Sequence, residues 1–258
     1  MLTKRLIGTV IIKDDLAVQS FGYNKYLPIG KPEYIIENLD RWGADEIVIF
    51  NIDRTLNKNG PNFKLIERLK KINLKTPLSY GGGIQSLQDG IKLITMGVER
   101  LVIDNLLHSN ISIIRDLAKT LGRQAIIGCL PLSLENNQLM WLDHLTKQKK
   151  NLFNQNIINS LDEIFSEIII VDWKNEGSFG KFNIKLIMPF KNQINISLIP
   201  FGGVNDIKKI ETLYSLSFIS AIAIGNSLNY KEHSIQNIKN KVGLSFLRPP
   251  FYQNTDME

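Results

Sequence analysis

The chain has 258 residues, 43% of them hydrophobic, a formal charge of +6 and one cysteine. That length allows one large core or two small domains, and a single cysteine excludes an internal disulfide framework. The opening MLTKRLIGTV is too short and too charged for a signal peptide, and no apolar run approaches the roughly eighteen residues of a membrane span. Lysine and arginine are spread along the chain apart from the cluster Lys147–Lys150, and no basic stripe with interleaved aromatics marks a nucleic-acid binder. A cytoplasmic protein is expected, with no nucleic-acid or membrane partner, whose mild positive balance suits an anionic small substrate.

In chain order, GTVII is a strand that runs into Lys13, Asp14 and Asp15. A helix is expected near Pro32–Trp42, with Ile35, Ile36, Leu39 and Trp42 on one face, Pro32 in its first turn and Gly43 as its stop. EIVIF is the second strand, and Leu65, Ile66, Leu69 and Ile72 mark the next helix. PLSY is the third strand. Ser86 with Asp89 reads as a capping box that opens a helix ending near Gly97. RLVI is the fourth strand, followed by a helix through Ile113, Ile114, Leu117 and Leu121. The second half repeats the rhythm with strands AIIGCL, EIIIV, ISLIPF and AIAI. Its helices are expected near Asn154–Phe165, Ile184–Phe190, Asp206–Tyr214 and Lys231–Lys239.

Eight strands, each followed by a helix, predict an α/β fold: a parallel eight-stranded (β/α)8 TIM barrel spanning residues 1–248. The near-continuous apolar character of the strands fits a sheet covered on both faces. The last residues, 249–258, read as a polar tail. The halves also resemble each other: YGGGIQSLQDGIKLITMGVERLVIDN parallels FGGVNDIKKIETLYSLSFISAIAIGN, about half a chain later. A half-barrel repeat is expected.

Gly81–Gly83 and Gly202–Gly203 follow strands three and seven, Gly177 follows strand six, and strands four and eight end in Asp104–Asn105 and Gly225–Asn226. Glycine lets backbone N–H groups approach an anion, so two such clusters half a turn apart fit a ligand with two phosphates. His108, His144 and His233 have no ligand spacing and read as surface or capping residues; no metal is implied. Cys129, inside an apolar strand, reads as core packing.

In combination the opening MLTKRLI, Lys13–Asp14, GADEIVIFNID, YGGGI, MGVERLVIDN, EIIIVDW with EGSFG, and Gly202–Gly203 resemble the cyclase subunit of imidazole glycerol phosphate synthase, over nearly the whole chain. The resemblance implies a barrel that receives ammonia from a glutaminase docked at its N-terminal face, forming a heterodimer, with no cofactor. It implies a phosphorylated ligand at the C-terminal face, gripped by Gly83, Asn105, Gly177, Gly203, Gly225 and Asn226. Asp104 stands where that family has an asparagine. An ammonia gate of alternating charges falls on Arg5, Glu46, Arg100 and Glu167.

The chemical positions depart from that pattern. The general acid and base, aspartates at the ends of strands one and five, fall on Ile11 and on Pro131 or its neighbour Leu130. An expected lysine is Gln19, and an expected aspartate at the end of strand two is Asn51. Neither isoleucine nor proline transfers a proton. The profile, with VQSFGYNKYLPIGKPE at residues 18–33, is similar to second copies of this subunit that work with a sugar amidotransferase in surface-polysaccharide synthesis, where ammonia makes an acetamidino sugar. Two rivals stand beside that expectation. In one, the chain is a histidine-pathway cyclase using Asp14, Asp15, Asp53 or Asp172; in the other, it is a structural activator of the glutaminase.

Overall fold

The structure is a computed structural model and describes residues 3–154, 157–243 and 245–250. Eight parallel barrel strands run in order: Arg5–Lys13, Glu46–Asn51, Leu78–Gly81, Arg100–Ile103, Ile126–Glu135, Glu167–Asp172, Ser197–Phe201 and Ala221–Ile224. Each pairs with the next through the seventh, and the eighth returns to the first with Arg5 opposite Ala221. The seventh and eighth meet at a parallel bridge between Leu198 and Ile219, which completes the (β/α)8 barrel.

Alternation along each strand builds two apolar layers. In the first strand Leu6, Val10 and Ile12 pack outward under the helices, while Ile7 and Ile11 face the barrel interior. Val48, Val102, Ile127, Cys129, Ile169 and Ile199 join the interior layer. The outer layer is closed by helices whose buried stripes match the expected ones: Ile36 and Leu39 on Pro32–Arg41, Leu65, Ile66 and Leu69 on Phe63–Lys70, Ile114 and Leu117 on Ile111–Leu121. Ser86 and Asp89 form the capping box in both directions at the start of Leu87–Thr95. The helices Ile158–Ile164, Ile207–Tyr214 and Ser234–Val242 complete the shell.

One expected helix is absent. The segment expected as a helix over Ile184–Phe190 forms two 3-10 pieces, Ile184–Leu186 and Met188–Asn192. Pro189 has no N–H to give to Lys185, so an α-helix begun at Ile184 cannot run through it. Two hairpins were not anticipated. Asp14 and Asp15, both at positive φ, make a two-residue turn from the first strand into Leu16–Phe21, which pairs with Lys25–Gly30. Asn136 and Asn137 do the same beyond the fifth strand, leading to Gln138–Leu142 and Lys149–Asn151. The polar tail from residue 251 lies outside the described residues. No described helix is long and apolar enough to cross a membrane.

Candidate functional site

The four charges expected to form a ring come together at the lower mouth of the barrel, where the strands begin. Arg5 contacts Glu46 at 2.8 Å and Glu167 at 2.5 Å, and Arg100 contacts Glu46 at 2.5 Å and also Glu167. The ring is closed and its signs alternate. Ser79 Oγ donates to Glu46 at 2.6 Å, and Ser220 Oγ donates to Glu167. Burial pushes the Glu167 carboxyl up, but the Arg5 and Arg100 guanidiniums outweigh it and hold the group below the ordinary carboxylate range.

Above the interior layer, at the opposite mouth, lies a cavity of about 310 Å³. Ile11, Phe50, Cys129 and Phe201 line it, with Tyr23 and Tyr26 from the first hairpin, and the rings of Phe50 and Phe201 stack 5.9 Å apart. Cys129 is core, as expected, and also cavity wall; burial raises its thiol pKa well above the usual value. Ile11 sits on this wall where the acid was sought. Leu130 belongs to the outer layer, so Pro131, on the same face as Cys129, holds the corresponding inward position of the fifth strand. Asn51 lines the cavity and donates to Asp53 Oδ1 at 2.7 Å. Gln19 is buried in the first hairpin, opposite Leu27.

Of the four aspartates weighed as substitutes, Asp53 alone lines the cavity. Asp14 and Asp15 are exposed turn residues; Asp53 accepts from the Asp14 N–H at 2.9 Å and Asp15 accepts from Asn62 at 2.8 Å. Asp172 is buried, its pKa raised by burial, and it accepts from Asn175 and from the Asn183 N–H at 2.9 Å each.

The two glycine clusters do not share one cavity. Gly83 and Asn105 line the large one, beside Asp104 and His144. Gly177, Gly203, Gly225 and Asn226 line a separate void of about 20 Å³, with Glu176 also on its wall. Asn226 is engaged at both ends of its amide, donating to Ser20 O at 2.6 Å and accepting from Ser20 N at 3.1 Å. The backbone repeat between the halves is close. A Cβ on Gly82 would lie 2.2 Å from Asn51 O, and one on Gly202 would lie 2.7 Å from Asp172 O, both at positive φ.

The histidine expectation needs correcting. His144 is half-buried: it lines the cavity and its Nδ1 lies 3.0 Å from Asp104 Oδ2. Burial disfavours its charged form, yet the Asp104 carboxylate outweighs this and raises its pKa. His108 stacks on Trp141 with ring centroids 3.7 Å apart, and burial lowers its pKa. The second hairpin, invisible to strand counting, is what carries Trp141 and His144 to the fourth strand end. Among the described residues no group of His, Cys, Asp or Glu is arranged to hold a metal.

Residues 5–234 match the family described as "Histidine biosynthesis protein". The chain belongs to that family. Two relatives share the name "Putative imidazole glycerol phosphate synthase subunit". The HisF of Leptospira interrogans is 23% identical, covering 90% of this chain and 92% of the relative, and the hisF2 of Vibrio vulnificus (strain YJ016) is 25% identical, covering 100% and 97%. The "Imidazole glycerol phosphate synthase subunit HisF" of Staphylococcus aureus (strain JH9) is 25% identical over 93% of this chain and 96% of its own length. This chain presents a closed charge ring below and a largely apolar cavity with Asp104, Asn105 and His144 at its edge above.

Proposed function

We propose that this chain is a cyclase-type subunit of the imidazole glycerol phosphate synthase kind that takes ammonia from a glutaminase docked over the Arg5–Glu46–Arg100–Glu167 ring. In this reading the ammonia crosses the barrel core and serves a sugar amidotransferase in surface-polysaccharide synthesis, in the cytoplasm. The chain does not close an imidazole ring itself.

The observation that carries this reading is a closed charge ring beneath a cavity with Ile11 on its wall, and with Pro131 at the inward position of the fifth strand, where the family resemblance puts an acid and a base. Losing both groups costs on the order of 10²–10⁴-fold in rate. Between ring and cavity the inward-facing layer is mainly apolar, and Thr9 adds a buried Oγ1 that has no hydrogen-bond partner among the described residues. The named relatives, HisF and hisF2 subunits over nearly their whole length, support the subunit type.

The test is reconstitution of the full chain with its glutaminase and an assay of imidazole glycerol phosphate formation. No turnover is expected; brisk turnover overturns the reading. In the same complex, Arg5→Ala should change the leakage of glutamine-derived ammonia. Unchanged leakage would favour a structural activator that conducts nothing. A histidine-pathway cyclase is kept as a second reading because Asp53 lines the cavity. It requires that the gene rescue a histidine auxotroph and that Asp53→Asn abolish the rescue.

A further inference from the structure

The end of the fourth strand offers acceptors where a phosphate site would offer donors. Asp104 Oδ2 faces His144 Nδ1 at 3.0 Å. Among the described residues, Asp104 Oδ1 and the neighbouring Asn105 Oδ1 are both buried without a hydrogen-bond partner. The Gly83 N–H, which an anion would need, already donates to Thr55 Oγ1 at 3.0 Å. A phosphate brought here would add negative charge and further acceptors to a carboxylate and an amide oxygen. A small cation rich in N–H groups would satisfy them.

We propose that Asp104, Asn105 and His144 form an ammonium-binding site at the upper end of the barrel, in place of a phosphate site. The identity of the ligand rests on the reading above, in which ammonia reaches this cavity. Ammonium carries one positive charge and four N–H donors. It fits the polar end of a cavity in which Ile11, Phe50 and Phe201 offer it no acceptor, while Asn51 and Asp53, also on the wall, are bonded to each other.

The site also couples binding to protonation. His144 and ammonium compete for one carboxylate. His144 is faced by Asp104 from the strand end, by His108 from the following helical turn and by Asp143 and Lys147 from its own hairpin. Of these, Asp104 exerts the strongest pull on the imidazolium. A cation held by Asp104 cancels that pull, so bound ammonium lowers the pKa of His144. Reciprocally, ammonium binds better above that pKa than below it.

The experiment is a pH titration of the histidine Cε1–H resonances of the full chain by NMR, in ammonium chloride and in potassium chloride at equal ionic strength. The His144 midpoint is expected to fall by about one pH unit in ammonium relative to potassium. Asp104→Asn should remove the difference and should let inorganic phosphate bind, read as a new chemical-shift perturbation at Asn105. Equal His144 midpoints in the two salts overturn the proposal, and so does phosphate raising that midpoint in the unsubstituted chain. The titration needs no glutaminase, so its failure leaves the leakage and cyclisation assays untouched.

Discussion

Glu46 has almost no contact with water: its side chain is 3% exposed, against 16% for Arg100 and 24% for Arg5. A carboxylate so placed depends on its two guanidiniums and on Ser79. Replacing Arg100 by Ala leaves Glu46 and Glu167 each with one fewer partner, and breaking buried pairs of this kind costs about 3–5 kcal/mol. Urea unfolding at pH 7 should show a loss at the low end of that range, because Arg5 remains. Arg100→Lys should recover only part of it, since one ammonium cannot present the planar fork that reaches both carboxylates. The ring also sets a pH dependence. The Glu167 pKa in the folded chain lies below the ordinary glutamate value of 4.5, so its stabilisation is fully present above that value. It is lost as the pH falls from there through the folded pKa. The stability gap between the unsubstituted chain and Glu167→Gln should therefore be constant near neutrality and shrink below about pH 4.5. A gap that grows on acidification would contradict this sign.

At the scale of single elements, the capping box at Ser86 is the clearest local signal to have held. Ser86 accepts from the Asp89 N–H at 3.1 Å, and Asp89 accepts in return from the Ser86 N–H at 3.0 Å. Ser86→Ala should cost about 1 kcal/mol, measured by denaturant unfolding, and Ser86→Thr much less. The strands and the remaining helices were legible for the same kind of reason: each carries its own periodicity. The failures were positional. Pro189 lies inside the Ile184–Phe190 segment, and its missing N–H overrides the apolar spacing around it. The hairpin turns at Asp14–Asp15 and Asn136–Asn137 rest on positive φ, which aspartate and asparagine tolerate better than other non-glycine residues. Asn136–Asn137 between two apolar runs was a usable turn signal. Reading Asp14 and Asp15 as acids beyond a strand hid the turn they make. The candidate site was less legible still. Arg5, Glu46, Arg100 and Glu167 are each an ordinary charged strand start, and only family resemblance joined them. His144 had no signal in its spacing, because the hairpin that carries it to Asp104 was itself unseen.

For the whole molecule, the barrel closes unevenly. The first and second strands pair from Ile7 opposite Glu46 to Ile12 opposite Asn51, whereas the seventh and eighth meet at a bridge around Leu198 and Ile219. The Leu198 N–H donates across the seam to Phe218 O at 2.8 Å, and Ser220 N–H returns a bond to Leu198 O at 3.2 Å. Backbone direction repeats every second residue, so the next N–H aimed at the eighth strand would belong to residue 200, which is proline. The ladder stops where that donor is missing and where Ser220 O turns to accept from the Arg5 N–H of the first strand at 3.1 Å. The void lined by Phe201, Gly203, Ala223 and Gly225 lies directly above that stop. Local opening is governed by how much hydrogen bonding it breaks, so this seam should open at lower free energy than the rest of the barrel. Native-state hydrogen exchange should find the amides of Leu198 and Ser220 less protected than those of Val48 and Ile49 in the second strand. Pro200→Ala supplies the missing donor. If the seam is weak for want of that N–H, the substitution should slow exchange at Ser220 and leave Val48 unchanged; equal slowing at both would mean a global gain in stability and would remove the seam from the account.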